Sequence, residues 1–276
     1  MRAIDPVAFA TEWLSRLEAG QYIAVGALVV ARILPVVFIA PFFGGPSVPA
    51  PVKMAVSLTL AAVMFPAVQS SMRGALPEGP LLYLALLTKE LAIGFAIAFV
   101  SSLVFRAAEM AGQAVDVLRG ANMVTALAPE LGERVSVIAD FWVQTLVVLF
   151  FLIGGHHLLL AAFAESYVAL PLLAFPSPAA GLGPAAEWIV RLSGQMFVVA
   201  LALAAPALVA LLLADFVLGL AARVAPNIQV FFMGMPLKAL LGLAMILFAA
   251  NALMSAFGSG LQDSLEGVRR LIDLLR

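Results

Sequence analysis

The residues able to do chemistry in this chain are few, and most lie inside apolar runs. Arg32, Lys89, Glu90, Asp140, Asp215 and Lys238 interrupt long hydrophobic stretches, and His156 and His157 are the only histidines. A charge at the centre of a bilayer costs from about 3 to more than 10 kcal/mol, so each of these needs a reason. Asp215 and Arg223 are eight residues apart, which sets them on one helix face two turns from each other. They read either as a polar site lining a conduit or as ionic contacts, within the chain or to a neighbouring subunit, that fix packing. Lys89 and Glu90 diverge by about 100° on a helix, so the sequence predicts that they do not pair and that they sit near the membrane surface. Arg32 lies three residues before Pro35. A kinked helix carrying a cation suggests a polar cavity or a partner, with snorkelling to the interface as the alternative.

Other chemistries find no support. Adjacent histidines point in different directions and suit a single metal ion poorly. Zinc proteases space two histidines four apart around a glutamate, and no such pattern occurs here. The chain has no cysteine, which removes thiolate ligands, thiol nucleophiles and disulfides. No phosphate-binding loop, dinucleotide fingerprint or nucleophile elbow is present. Neither a catalytic, a cofactor nor a metal site is expected, and His156-His157 read as a packing or interface pair.

The elements that must carry these residues follow from composition. Of 276 residues, 64% are hydrophobic and 11% charged, and the mean hydropathy is +1.10. Soluble domains hold about a quarter charged residues, so a soluble globule is excluded, and so is disorder. The net charge of −1 leaves no basic excess for a nucleic-acid partner. The apolar runs are unbroken instead of alternating, which argues against an outer-membrane barrel. The predicted fold is all-α, a polytopic membrane protein of about six hydrophobic helices: 22–40, 54–68, 81–105 with a helical continuation to Gly120, 135–164, 192–222 and 228–257. Residues 1–20 precede them as an amphipathic segment carrying Val7, Trp13, Leu14 and Leu17, lying at the interface or packed on other protein. The first run is too long for a cleaved signal and is kept as mature structure. Residues 258–276 form a C-terminal amphipathic helix with Leu261, Leu265, Val268, Ile272 and Leu275 on one face, at the membrane interface or docked on a partner. The domain division is therefore 1–20, 21–257 and 258–276. Arginine and lysine counts lean slightly towards termini on the cytoplasmic side.

Pro35, Pro41, Pro66, Pro206, Pro226 and Pro236 interrupt or end hydrophobic runs. Broken backbone at membrane depth is tolerated where it is buried in protein or lines a cavity. Secondary transporters use such breaks to bind ions, and a small-solute transporter using Asp215, Asp140 or Lys89 and Glu90 is the alternative reading. Helices packed in a ring against other subunits use them as well.

Five segments, in order, bear on this choice. They are Arg32 through Pro41-Phe42-Phe43 to Ser47-Val48-Pro49-Ala50-Pro51-Val52-Lys53; Lys89-Glu90-Leu91-Ala92-Ile93-Gly94; Ala111-Gly112-Gln113 with Asp116 and Arg119-Gly120; Gly154-Gly155-His156; and Arg223-Val224-Ala225-Pro226-Asn227 through Met235-Pro236-Leu237-Lys238. Together they resemble the FliR/SctT family of type III secretion export-apparatus proteins over most of residues 20–255. Arg119-Gly120, Gly154-Gly155 and Phe231-Phe232-Met233 look more like the injectisome branch than the flagellar one. Asn227 departs from the glutamine many relatives carry.

The resemblance implies an export-gate subunit that helps form and close an inner-membrane channel for unfolded protein substrates. Its partners would be FliP/SctR-like, FliQ/SctS-like and FlhB/SctU-like subunits, in contact with membrane lipid and partly raised towards the periplasm. Helices that hydropathy marks as transmembrane would then bury apolar faces against those subunits. The assembly or gating candidates are Arg32, Pro35, Pro41, Pro49, Lys53, Glu109, Asp116, Arg119, Asp215, Arg223, Pro226, Asn227, Pro236 and Lys238.

Overall fold

The computed structural model describes residues 19–71, 79–120, 136–175, 183–224 and 230–275. The predicted N-terminal amphipathic segment, the turn at 129–132, and Pro226 and Asn227 lie outside the described residues. Among those described there are eight α-helices and no strand: α1 Ala19–Ile39, α2 Ala50–Ser71, α3 Pro80–Arg119, α4 Val137–Leu152, α5 Gly155–Ala169, α6 Gly183–Val224, α7 Val230–Phe248 and α8 Ala250–Leu275. The all-α polytopic expectation holds. Three helices (α1, α3, α6) are long and apolar enough to cross a membrane alone, and the count reaches five if each bent pair, α4–α5 and α7–α8, makes one span. The apolar part of α2, Ala50–Pro66, is shorter.

The stops follow local chemistry. After α1 the prolines fold into two short 3-10 turns, Pro41–Phe43 and Gly45–Ser47. Gly44 joins them at φ +95°, with the Val48 side chain where a Cβ would stand. Only glycine takes that backbone without strain. Gly120, at φ +84°, ends α3 as a C-terminal glycine does.

Three expectations change. Pro35, Pro66, Pro206 and Pro236 do not break their helices but lie inside them. In an apolar setting an unbonded peptide group is so costly that the helix persists around a proline, giving up one hydrogen bond. The run predicted as one span over 135–164 is instead two helices bent by 72°, turning at Gly154 with φ +74°. The C-terminal amphipathic stretch continues a helix that starts at Ala250. Its apolar face is buried within the chain at Leu261, Leu265, Val268, Ile272 and Leu275, so that face is not free to dock on a membrane or a partner.

The chain forms two compact units. Among the described residues, one holds the chain up to Val100 with Leu159–Ala185 and the residues from Val268 on; the other holds Ser101–Leu158 and Ala186–Gly267. The first has Leu28, Val29, Val36 and Ile97 at its core; the second has Phe105, Trp142, Leu146 and Phe257. In the second, Trp142 meets Phe257 edge-on with ring centroids 6.1 Å apart, and Phe105 meets Phe150 likewise at 6.2 Å.

Candidate functional site

In the first unit α1 and α3 approach so closely that a Cβ on Gly94 would collide with the backbone carbonyl of Arg32. Gly94 stands one turn after Glu90, so the glycine that allows contact and the acid that uses it share a face. Arg32 Nε donates to Glu90 Oε2 at 2.5 Å. Its other nitrogens donate to the carbonyl of Ser166 (2.8 Å), the hydroxyl of Ser166 (3.1 Å) and the carbonyl of Leu170 (2.8 Å). The guanidinium lies 4.2 Å from the centre of the Tyr167 ring, and the Tyr167 hydroxyl donates to Val29 O at 3.1 Å. Arg32 therefore holds the C-terminal end of α5, where the helix dipole favours a cation, and shares the Ser166 carbonyl with the backbone N–H of Leu170.

Lys89 completes this cluster. Its ammonium pairs with Glu90 Oε1 at 2.7 Å and donates to the carbonyls of Pro171 (3.0 Å), Leu172 (2.7 Å) and Ala174 (2.9 Å). Glu90 and Arg32 have no solvent exposure, and Lys89 has 8%. This corrects two expectations. Lys89 and Glu90 are buried and paired; their Cα vectors diverge, but the long lysine chain curls back and the carboxylate has one oxygen for each cation. Arg32 does not snorkel, because α5 and the turn after it bring acceptors to it.

The second unit repeats the logic. Gly112 lets α3 and α4 touch: a Cβ there would strike the backbone of Ala139. One turn on, Asp116, 2% exposed, accepts from Ser136 Oγ at 2.7 Å and Ile138 N at 2.9 Å, capping the start of α4. Its other oxygen pairs with Arg119 at 2.9 Å. The Arg119 chain packs on Gly242 of α7, leaving 2.5 Å to a would-be Cβ. Glu109 stands apart and pairs on the exposed face with Arg106 at 2.8 Å.

Asp215 and Arg223 are not brought together. Asp215 of α6 pairs with Lys238 of α7 at 2.5 Å, because α7 packs back on α6, with Gly234 against Leu218. Arg223 is exposed near the end of α6. Pro49 accepts from the backbone N–H groups of Val52 and Lys53 and so starts α2, while Pro35 and Pro236 lie within α1 and α7. His156 and His157 lie against each other at the start of α5, ring centroids 4.0 Å apart and ring planes tilted by 40°.

The residues sequence reasoning missed are Ser136, Ser166 and Tyr167; it singles out Lys89 and Glu90, but not as a buried pair. For Glu90 and Asp116 a signal existed: each precedes or follows a small residue by one turn inside a long apolar helix, as Glu90–Gly94 and Gly112–Asp116. What these clusters can do is lock helices at fixed register. None presents a nucleophile beside a base.

Comparison with known proteins gives this arrangement a setting. The family described as bacterial export proteins, family 1, matches residues 23–264. Yop proteins translocation protein T of Yersinia pestis is 34% identical over 193 residues, 69% of this chain and 72% of the relative. Flagellar biosynthetic protein FliR of Bacillus subtilis is 27% identical over 250 residues, 90% of this chain and 94% of the relative. Secretion system apparatus protein SsaT of Salmonella typhimurium is 34% identical over 170 residues, 60% of this chain and 63% of the relative.

Proposed function

The chain belongs to family 1 of the bacterial export proteins, the FliR/SctT family of multi-pass membrane proteins in the type III export apparatus, and from that premise we propose that it helps form and close the export gate for unfolded proteins in the inner membrane. Family membership implies a complex with other export-gate subunits. The specific neighbours in this reading are FliP/SctR-like, FliQ/SctS-like and FlhB/SctU-like proteins. Relatives of both types match the chain; in this reading the injectisome branch is favoured over the flagellar one on Arg119-Gly120, Gly154-Gly155 and Phe231-Phe232-Met233.

The observation that carries the gate reading is the exposed face of α6. Large apolar side chains stand out from Val190 (71% exposed) to Val224 (86%), and 28% of its most apolar window is buried. Those 35 residues of helix measure about 52 Å, against a hydrocarbon core of about 30 Å. Even at a tilt of about 40°, the upper end of the usual range, lipid covers only about 39 Å of it. The surplus apolar surface calls for protein. A subunit raised partly towards the periplasm and wrapped by its neighbours supplies that cover.

In this role the buried clusters hold the helices rigid. Arg223, Asn227 and Lys238 serve assembly or gating without transport chemistry of their own, and so do the prolines that open α2 and bend the chain between spans. The test is extraction in mild detergent with its neighbours co-expressed. A stable complex with two other small polytopic proteins, and loss of secretion when the gene is deleted, are expected. A monomer or plain homodimer, with secretion intact in the deletion strain, overturns the reading.

A further inference from the structure

Three cations are buried among the described residues: Arg32, Lys89 and Lys53. The first two share Glu90. Lys53, 7% exposed, meets no carboxylate among the described residues. Its ammonium has one acceptor, the carbonyl of Phe38 at 3.5 Å, the long limit of a hydrogen bond, and lies 5.5 Å from the centre of the Phe38 ring. An ammonium carries three donors, so two are unused. Lys53 is also the fourth residue of α2, where the helix dipole presents positive charge and disfavours a cation. The Pro49 carbonyl that starts the helix already accepts from the backbone N–H groups of Val52 and Lys53 and offers the ammonium nothing. A buried cation kept at such a place is half of a pair.

The missing half is an anion, and the surroundings favour a protein source. Around Lys53, α2 exposes Val52 (50%), Met54 (40%), Leu58 (54%) and Val63 (65%). Its apolar part, Ala50–Pro66, is about 25 Å long and falls short of the bilayer core of about 30 Å. A helix too short to span and apolar on its open face suits a neighbouring helix. We propose that Lys53 is the anchor for an aspartate or glutamate of an adjacent export-gate subunit, which covers Val52, Met54 and Leu58 with apolar side chains and places its carboxylate beside the first turn of α2. This rests on the export-gate reading above.

The proposal makes two effects run in opposite directions. Lys53→Met removes a buried charge that meets no carboxylate among the described residues and deprives the partner's carboxylate of its cation. The full-length chain is purified alone for thermal unfolding, and co-expressed with its gate neighbours for recovery of the complex. Lys53→Met is expected to leave the melting temperature of the chain alone unchanged or higher, while complex recovery falls at least about tenfold. Lys53→Arg is expected to restore recovery. Equal recovery with Lys53→Met overturns the proposal, as does a fall in both measurements, which marks a purely internal role, or a failure of Lys53→Arg to restore. Loss of bound anionic phospholipid with the subunits unaffected overturns it in favour of a lipid phosphate. If the wild-type chain recovers no other subunit, the export-gate reading itself fails and the proposal falls with it.

Discussion

Arg32 of α1 and Glu90 of α3 are held 2.5 Å apart with neither side chain reaching solvent, and the glycine one turn beyond Glu90 is what lets the two helices come that close. Buried pairs of this kind contribute little net stability compared with apolar packing, but breaking one is severe because a bare charge remains. Glu90→Gln leaves Arg32 and Lys89 both without a carboxylate. It is expected to destabilise the chain by about 3–5 kcal/mol, seen as a loss of folded protein in membranes and a lower unfolding temperature in detergent. Arg32→Met combined with Glu90→Met is expected to cost less than the two single changes added together. A double-mutant cycle on the purified chain checks this, and simple additivity would contradict the coupling.

The helix contacts themselves can be tested at the glycines. Gly94→Val and Gly112→Val each drive a side chain into the backbone of the facing helix, at Arg32 and at Ala139. Overpacking costs about 1–3 kcal/mol where neighbours can shift and more where they are backbone. Gly258 of α8 has nothing within 4 Å of the point where a methyl group would stand, and Gly258→Ala is expected to be neutral or stabilising by up to about 1 kcal/mol. Melting curves of the three variants should separate into two losses and one gain or tie.

Asp116 combines two duties that can be divided. Asp116→Asn keeps an oxygen for Ile138 N and Ser136 Oγ but gives up the charge that faces Arg119. Asp116→Ala loses the cap as well, worth about 0.5–2 kcal/mol. The alanine variant is expected to unfold at a lower temperature than the asparagine variant, and both below the wild type. Equal melting of Asn and Ala would mean that the cap contributes nothing.

How far the sequence leads can be read from these same positions. The helical runs are legible because their apolar stretches are long and their ends are marked by Pro41, Gly120 and Pro171. The family is legible from ordered motifs, although no one of them suffices. The run through Pro206 is legible as one hydrophobic span; that its helix is not broken there is not, because a rule drawn from water-exposed helices overstates what one proline does in apolar surroundings. Nor is the bend at Gly154, since hydropathy stays high on both sides of it. The Lys89–Glu90 pairing escapes helical-wheel reasoning because it depends on a third residue, Arg32, 58 positions away, and on carbonyls from the turn after α5. Pairing of Asp215 with Lys238 instead of Arg223 is likewise a matter of which helix packs back, and local spacing does not contain that information.

The last prediction concerns that pair and the surface around it. Asp215 is 43% exposed on its side chain, yet its helix neighbours Leu212, Leu213, Phe216 and Val217 are all more than half exposed and apolar. An exposed ion pair contributes about 0–1 kcal/mol to a chain's own stability. Asp215→Asn should therefore barely move the unfolding of the purified protein. If neighbouring subunits cover this face, the same change leaves Lys238 facing a desolvated interface without its carboxylate, and the cost appears there. Leu213→Asp, which adds a charge to the same face, is expected to leave the isolated chain folded and to reduce recovery of the assembled gate by at least about tenfold, since an unpaired charge buried at an interface costs several kcal/mol. The measurement is complex recovery and secretion, normalised to chain level in the membrane. Full recovery and secretion with Leu213→Asp would mean that this face meets water or a lipid headgroup, and the surplus length of α6 would then need another explanation than protein cover.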